Sequence, residues 1–383
     1  MPHAIVLGAG MVGSVMSADL SSDPAFEVTV ADARPQSLEL ASRRSGGRVR
    51  TLQLDLSDTH ALARAIAPFD IVLGALASHL GFQTLRTVIE AKKNYADISF
   101  MPEDALELDQ LAKKNGVTAV VDCGVAPGMS NLLSGYAVSL LDSCDNIEIY
   151  VGGLPRERCW PFQYKAGFAP ADVIEEYTRP VRIVENGRTV IRQALTEPEL
   201  LDFPGIGSLE AVNTDGLRSL AATLPVPSMK EKTLRYPGHY ELMRVLRAIG
   251  LFSKEPVDVN GVCVRPLDLL STLMFPMWTY QPGEPDLTVM RVLADGTRDG
   301  RRLRLAWDLL DQLDPATGFT SMSRTTAFPC AIMARRIASG RLARPGVLPP
   351  ERLADDHALV ADVLDQLDRR GVRFLHSERE LPR

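Results

Sequence analysis

The sequence predicts an α/β protein in which an N-terminal doubly wound parallel sheet is followed by an α+β domain with a mixed sheet. Three observations predict this fold class. Short apolar runs alternate with helical patterns over residues 3–124, a glycine-rich turn follows the first apolar run, and the alternation ends after residue 125. Strands that alternate with helices in this way are typical of a parallel sheet with crossover helices, the Rossmann arrangement.

Residues 3–124 predict six strands with helices between them. HAIVLG at residues 3–8 predicts a strand and MVGSVMSADLSS a helix, FEVTVADAR predicts a second strand that ends at Asp32, and GRVRTLQLDL predicts a third. FDIVLGAL, NYADIS and VTAVVDCG predict strands four to six. The segments SLELASRR, DTHALARAIA, FQTLRTVIEAKKN and EDALELDQLAKKN predict the helices between them.

Residues 126–324 predict a second domain with a mixed or antiparallel sheet. Strand-like pieces such as DNIEIYVGGL dominate there, and DGTRDG between two alternating segments indicates an antiparallel hairpin with a somewhat long loop. The amphipathic segment RTTAFPCAIMARRIASG predicts a helix that returns to the first domain. We therefore expect the Rossmann domain to comprise residues 1–125, completed by residues 325–375.

Composition excludes several classes of protein. The chain has 383 residues, a formal net charge of -6 and no long Lys/Arg stripe with interleaved aromatic residues, so nucleic acid is not an expected partner. No apolar run reaches about 18 residues and no secretory signal is apparent, so a membrane is not expected either. The five cysteines are scattered without a CxxC pair, which indicates neither disulfides nor a metal site and favours the cytoplasm.

The turn GAGMVG predicts a dinucleotide site. Gly8, Gly10 and Gly13 follow a predicted strand and open a helix, with Met11 and Val12 between them. The first glycine permits the tight turn, the second lets the backbone approach a pyrophosphate, and the third lets the helix pack on the strand.

Asp32, at the end of the second strand, favours NAD as the cofactor. A carboxylate there accepts hydrogen bonds from the ribose hydroxyls and repels a 2′-phosphate, whereas Arg34 could neutralise that phosphate and leaves NADP open.

Further cofactor contacts are expected at the carboxyl ends of later strands, because ligands of open parallel sheets bind there. The candidates are Asp55, Leu56, Ala75, Leu76, Cys123 and Gly124. Asp55 can equally be a plain strand-end carboxylate. Cys123 has no basic neighbour in sequence to lower the pKa of its thiol, so a small buried filler is the better interpretation than a nucleophile. Asn131 in APGMSN either binds a polar group of the ligand or caps a helix.

Several segments together resemble one family. They are GAGMVG, DISFMPEDALELD, DCGVAPGMSNLLSGYA, YVGGLP, VIEEYTRP, FPGIGSLEAVNTDGLRSL, EKTLRYPGH and SMSRTTAFPCAIMA. Over most of its length the chain is similar to the L-lysine 6-dehydrogenases of the saccharopine dehydrogenase superfamily. Fungal-type saccharopine reductases are less similar, since they have an acidic residue in place of Ala126 and a cysteine in place of Val151.

The resemblance implies a function. We expect NAD(P)-dependent oxidative deamination of the side-chain amine of L-lysine, whose semialdehyde product cyclises to piperideine-6-carboxylate, in a homodimer or larger homo-oligomer. The alternative within the superfamily is a saccharopine or carboxynorspermidine dehydrogenase or reductase. A nucleotide-sensing regulator without catalysis is the alternative from another class.

This chemistry needs a proton acceptor and a carboxylate site. The lysine amine is protonated at neutral pH, so His239 or a Lys165 with a lowered pKa is expected to take its proton. Arg235 and Arg179 are expected to bind the substrate carboxylate, because a guanidinium matches its geometry. Asp215 is expected to bind the α-ammonium or orient a cation, or merely to cap a helix. The competing interpretation of Arg235 is an interdomain salt bridge. The competing interpretation of His239 is helix capping.

Overall fold

A computed structural model describes residues 1–281 and 283–382. The first part of the chain alternates between strands and helices: β1 His3–Leu7, α1 Met11–Ser21, β2 Glu27–Asp32, α2 Pro35–Arg44, β3 Arg50–Gln53, α3 Thr59–Ile66, β4 Ile71–Gly74, α4 Ser78–Glu90, β5 Asn94–Asp97, a 3-10 turn Ala105–Leu108, α5 Asp109–Asn115, β6 Thr118–Val120 and α6 Met129–Leu140.

The middle of the chain is richer in strands. It contains β7 Ser143–Pro155, α7 Pro170–Thr178, β8 Val181–Glu185, β9 Arg188–Arg192, β10 Glu199–Phe203, β11 Gly207–Asn213, α8 Leu220–Thr223, β12 Ser228–Arg235, α9 His239–Ala248, β13 Val257–Val259, β14 Val262–Val264, α10 Pro266–Trp278, β15 Asp286–Arg298 and β16 Arg301–Gln312. The last part contains α11 Ser321–Ala338, β17 Gly346–Leu348, a 3-10 turn Pro350–Leu353, α12 His357–Arg369 and β18 Phe374–Glu380.

The first sheet is parallel throughout and has the order β17-β6-β5-β4-β1-β2-β3. Its central strands are buried on both faces, as the continuous apolar run of Ile5, Val6 and Leu7 requires. The chain leaves β1 towards β2 on one side and later returns to β4 on the other, which opens a crevice at the carboxyl ends of these strands. The predicted doubly wound sheet is confirmed.

The second sheet is mixed, as predicted. Its main order is β10-β11-β12-β7-β15-β16-β18, with β8 and β9 attached at β12, and only the β12–β7 pair among its registers is parallel. The expected hairpin forms between β15 and β16, but its loop is shorter than predicted. Arg298 pairs with Arg301, and Asp299 and Gly300 both have positive φ, so they make a two-residue turn.

The C-terminal part contributes to both sheets. β17 pairs with β6 at the edge of the first sheet, and Arg335 of α11 forms ion pairs with Asp19 at 2.6 Å and Asp23 at 3.4 Å beside α1, whereas β18 extends the second sheet. These contacts support the proposed completion of the first domain by residues 325–375, although that division of the chain remains a proposal. None of the helices in the described part of the chain is long and apolar enough to cross a bilayer.

We predict that the central strand β4 contributes far more stability than the edge strand β10. Leu73 in β4 is fully buried, so Leu73→Ala should lower the free energy of unfolding by about 2.7–5 kcal/mol through the cavity it leaves. Leu200→Ala in β10 is the matched control, because that side chain is 67% exposed. Chemical denaturation of the two variants measures the difference, and equal losses would contradict the assignment of β4 to the core.

Candidate functional site

A cavity of about 830 Å³ lies where the carboxyl ends of the first sheet meet one face of the second sheet. The glycine turn, Asp32 and residues after β3, β4 and β6 line it on one side. On the other side are Val151–Gly153 of β7, residues of β12 and the loop before it, and α7 with the residues that flank it. The cavity is therefore built from both sheets.

The glycines of the turn each meet a different constraint. Gly8 has φ +96°, and a Cβ there would lie 2.4 Å from the Ala75 carbonyl oxygen. A Cβ on Gly13 would lie 2.0 Å from the Gly8 carbonyl oxygen, so α1 can approach the turn only because that Cβ is missing. A Cβ on Gly10 would meet no protein atom within 4 Å. The backbone at Gly10 thus borders open cavity, as the approach of a pyrophosphate requires.

Asp32 holds the turn in place. Its Oδ2 accepts a hydrogen bond from the Ala9 amide at 2.8 Å, and its Oδ1 accepts one from the Arg34 amide at 2.9 Å. Burial by itself would raise the pKa of Asp32, but these hydrogen bonds and the Arg34 guanidinium lower it overall. Asp32 is therefore an anion at neutral pH, on the wall of the cavity.

Most of the predicted cofactor residues line this cavity. They are Gly8, Gly10, Met11, Val12, Gly13, Asp32, Asp55, Leu56, Ala75, Leu76 and Gly124. Cys123 does not line it. The thiol is buried in the apolar core that also contains Cys330, so a cofactor contact is not supported and the filler interpretation fits its position.

Strand alternation divides the segment EKTLRYPGH between two faces of the second sheet. Glu231, Thr233 and Arg235 of β12 line the cavity. Lys232 lies on the opposite face, where its Nζ is 2.6 Å from Glu199 Oε1 and donates to the Glu197 carbonyl at 2.8 Å. Successive side chains of a strand alternate between faces, so the cations of this segment do not form one cluster.

Arg235 reaches the cavity but is already paired. Only 1% of the residue is exposed, and its Nη2 donates to Glu176 Oε2 at 2.8 Å while its Nη1 donates to the Leu234 carbonyl at 2.9 Å. The guanidinium also lies 4.4 Å from the centre of the Tyr164 ring. Its position on the cavity wall fits the predicted role as a ligand of the substrate carboxylate. The ion pair with Glu176 fits the competing interpretation of a salt bridge.

Arg179 retains an unpaired donor. Its guanidinium lies 4.8 Å from the centre of the Phe100 ring, and its Nη2 is 4.0 Å from Glu175. Nη1 is buried and has no hydrogen-bond partner among the described residues. A buried guanidinium nitrogen without a partner is costly, so an anion in this cavity would satisfy it. Arg179 is the better placed of the two predicted carboxylate ligands.

The structure does not support either predicted proton acceptor. His239 is fully buried outside the cavity lining, with Nδ1 2.7 Å from the Phe162 carbonyl oxygen and Nε2 2.8 Å from the Tyr177 hydroxyl. Burial, and then the charge of Arg235, lower the pKa of His239 to about 3, so the ring is neutral and supports the packing of α9. Lys165 Nζ is paired with Glu284 at 2.5 Å and also lies outside the cavity lining.

Asp215 and Asn131, two further predicted site residues, are hydrogen-bonded to other protein groups. Asp215 lines the cavity, but its carboxylate accepts from Arg182 Nε at 2.9 Å and Nη2 at 2.7 Å, so it holds that arginine instead of standing free for an ammonium. Asn131 lies outside the cavity lining. Its Oδ1 accepts from the Gly128 amide at 3.3 Å at the start of α6, and its Nδ2 donates to Glu351. These contacts agree with the interpretation of Asn131 as a helix cap and not as a ligand-binding residue.

Glu231 is a cavity residue that the sequence analysis did not identify. Its Oε2 accepts hydrogen bonds from Thr214 Oγ1 at 2.5 Å and the Gly216 amide at 3.1 Å. Burial raises the pKa of Glu231 to about 8, and the nearby carboxyls of Glu176 and Asp215 add to the rise. The period-2 alternation from Glu231 to Arg235 was the signal that could have found it.

The second-sheet side of the cavity carries more carboxyls than cations. Asp172, Glu175, Glu176, Asp215 and Glu231 line it, against Arg179 and Arg235. Three of these carboxyls form ion pairs, Glu175 with Lys254, Glu176 with Arg235 and Asp215 with Arg182, so Asp172 and Glu231 are left without one among the described residues.

Two family models together match nearly the whole chain. The Saccharopine dehydrogenase NADP binding domain matches residues 4–120, and the Saccharopine dehydrogenase C-terminal domain matches residues 124–372. The glycine turn, the open cavity beside Gly10 and the Asp32 carboxylate fit a dinucleotide, in agreement with the first of these models.

Named relatives are similar over the full length. The chain is 22% identical to saccharopine dehydrogenase [NADP(+), L-glutamate-forming] of Schizosaccharomyces pombe, covering 98% of each chain. It is 23% identical to carboxynorspermidine synthase of Vibrio cholerae, covering 91% of this chain and 92% of the relative. The solved structure of apo saccharopine dehydrogenase (L-Glu forming) from Saccharomyces cerevisiae superposes with a TM-score of 0.81 at 18% identity, covering 100% of both chains, which shows the shared fold.

We predict that two glycine substitutions separate folding from cofactor binding. Gly10→Ala adds a methyl group that meets no protein atom, so the melting temperature should stay near that of the wild type while the Kd for NAD(P) rises about tenfold or more. Gly13→Ala forces a clash with the Gly8 carbonyl and should lower the melting temperature. Calorimetry and cofactor titration measure both quantities, and unchanged affinity in Gly10→Ala would place the pyrophosphate elsewhere.

Proposed function

Because this chain belongs to the saccharopine dehydrogenase family and is an NAD(P)-dependent oxidoreductase of amino-acid substrates, we propose that it oxidatively deaminates the side-chain amine of L-lysine. The product is the semialdehyde, which closes on its own α-amine to give piperideine-6-carboxylate. The observation that carries the proposal is a cavity wall that offers one unpaired guanidinium donor, Arg179 Nη1, together with the carboxyls of Asp172 and Glu231, which form no ion pair among the described residues.

The charge of the cavity supports lysine over saccharopine. Lysine has two ammonium groups and one carboxylate, so it is a net cation, whereas saccharopine has three carboxylates and is a net anion. The cavity offers one buried guanidinium donor without a partner among the described residues, Arg179 Nη1, whereas Arg235 is paired with Glu176. One free donor suits the single carboxylate of lysine better than the three carboxylates of saccharopine.

Arg179 is proposed to bind the α-carboxylate of the substrate. Its unpaired Nη1 supplies the donor, and stacking on Phe100 fixes the plane of the guanidinium. Arg235 stabilises the same wall through its ion pair with Glu176 and can contribute positive potential without releasing that partner. A dinucleotide held at the glycine turn and Asp32 would supply the acceptor for the hydride of the carbon that carries the amine.

NAD is proposed as the preferred cofactor over NADP. Asp32 is ionised and lies on the cavity wall, so it would repel the 2′-phosphate of NADP. Arg34 has its Nε 3.3 Å from Asp32 Oδ1, so part of its positive charge is already matched by that carboxylate.

A reductive condensation of an amine with a carbonyl compound is the second candidate. The similarity to carboxynorspermidine synthase favours it, and a polyamine-like substrate would also be a net cation that fits the acidic wall. The two candidates share the transfer of a hydride at an amine-bearing carbon and differ in the group attached to the nitrogen.

A homo-oligomer in the cytoplasm is proposed as the working form. The β13–β14 hairpin forms a sheet of its own, in which Val257, Val259 and Val262 expose about half of their surface or more, and α10 exposes Leu273. Exposed apolar side chains of this density support a contact with a second copy. The five cysteines are free, which fits a reducing compartment.

Substrate competition tests the proposal. With NAD or NADP present, L-lysine should yield reduced cofactor together with a cyclic imine, at a higher kcat/KM with NAD, and saccharopine should be turned over at least about 100-fold less efficiently. Absorbance of the reduced cofactor and mass spectrometry of the product provide the measurement. Turnover of saccharopine or carboxynorspermidine with no reaction of lysine would establish the second candidate instead.

Arg179→Ala tests the carboxylate site. The variant should lose about 2 to 4 kcal/mol of transition-state binding for L-lysine, measured as kcat/KM, because the substrate carboxylate loses its partner. Cadaverine, which is lysine without the carboxylate, should react equally well with the variant and the wild type. Arg188→Ala is the control, since this arginine is exposed on β9 away from the cavity. An equal loss with cadaverine would show that Arg179 acts on something other than the carboxylate.

A further inference from the structure

Oxidation of an amine requires a group that removes a proton. The side-chain ammonium of lysine has a pKa near 10.4, and its nitrogen must offer a lone pair before a hydride can leave the neighbouring carbon. His239 and Lys165 lie outside the cavity lining, with their polar atoms occupied by protein partners. The acceptor therefore has to be sought among the carboxyls that line the cavity.

Most of these carboxyls are already engaged. Glu176 pairs with Arg235, Asp215 is held by Arg182, and Glu175 pairs with Lys254 at 3.2 Å. Asp172 accepts a hydrogen bond from Ser78 Oγ at 2.7 Å and is partly exposed. Glu231 is 4% exposed and forms no ion pair within residues 1–281 and 283–382.

Contacts with the loop after β11 fix the position of the Glu231 carboxyl. A Cβ on Gly216 would lie 2.3 Å from Glu231 Cδ, so the loop after β11 can close over the carboxyl only because residue 216 is glycine. Thr214 Oγ1 and the Gly216 amide both donate to Oε2. The hydrogen bonds that the carboxyl accepts from the described residues all fall on Oε2, and the side chain borders the cavity. One oxygen is thus fixed and the other is available to a ligand.

We propose that Glu231 is a catalytic residue that accepts the proton of the substrate's side-chain ammonium at Oε1, an inference that rests on the proposed amine oxidation. An N–H bond of the ammonium breaks and an O–H bond forms on the carboxylate. The freed lone pair on nitrogen then forms a C=N bond as a hydride leaves the adjacent carbon for the oxidised cofactor, and water hydrolyses the resulting iminium to the semialdehyde and ammonium. The carboxyl returns its proton to solvent before the next turnover.

The surroundings of Glu231 suit this role. Glu176 on α7 and Asp215 in the loop after β11 face it, Tyr240 on α9 packs nearby, and Arg235 lies further along the same face of β12. Burial and the two carboxyls raise the pKa of Glu231 to about 8, against the lowering effect of the hydrogen bonds. A raised carboxyl pKa means that the acceptor is mostly protonated at pH 7 and becomes competent as the pH rises through about 8.

Glu231→Gln tests the proposal, because glutamine keeps the shape of the side chain and cannot accept the proton. With L-lysine and NAD, kcat/KM of the wild type should rise with pH through about 8, and the variant should lose about 100-fold or more and this pH dependence with it. The Kd for NAD should stay unchanged. Glu210→Gln is the control, since Glu210 is paired with Arg244 outside the cavity and should retain wild-type rates.

An infrared pH titration gives a readout that does not depend on turnover. The wild type should show a protonated carboxyl that ionises near pH 8, and this signal should be absent from Glu231→Gln and present in Glu210→Gln. Wild-type rates in Glu231→Gln, or an unchanged infrared titration, would overturn the role of Glu231 while leaving the proposed function intact. Failure of the wild type to oxidise any amine would instead overturn the proposed function and this role with it.

Discussion

The alternation of side chains along β12 is the constraint on which the rest of the site depends. Thr233 pairs in parallel register with Val151 of β7, and both residues line the cavity, as do Glu231 and Arg235 on the same face of β12. A register shift of one residue would turn Lys232 and Leu234 into the cavity and remove the acidic group and the arginine together. Strand pairing in the second sheet therefore determines which side chains line one side of the cavity. The glycine turn of the first sheet forms the opposite side.

Most polar groups of the cavity form ion pairs or hydrogen bonds with other protein groups. Arg235 has Glu176, Asp215 has Arg182, and Asp32 has two backbone amides. Arg179 Nη1 is a buried donor without a partner among the described residues, and the Glu231 carboxyl accepts hydrogen bonds from them at Oε2 alone. The first group can bind a carboxylate, and the second can accept from an ammonium. An amino acid with a carboxylate and a side-chain ammonium carries the two complementary groups, which is why the site fits a diamino acid better than a tricarboxylate.

Local patterns in the sequence were sufficient for the fold and for the dinucleotide site. GAGMVG and the strand end at Asp32 depend on contacts within one βαβ unit, so spacing alone predicted them. The proton acceptor depends on partners distant in sequence: His239 is occupied by Phe162 and Tyr177, and Lys165 by Glu284. Residue type alone made these two attractive candidates. Glu231 is not among the predicted residues, although the same alternation that places Lys232 on the other face of β12 places Glu231 on the cavity face.

Isotope transfer from labelled lysine tests the central claim most directly. L-Lysine that carries deuterium only on the side-chain carbon bonded to nitrogen should pass one deuterium to NAD, and mass spectrometry should find it on the nicotinamide ring. This result would place that carbon opposite the cofactor with its amine at the acidic wall. Unlabelled reduced cofactor from this substrate, or labelled cofactor from lysine that carries deuterium only on the α-carbon, would contradict the account.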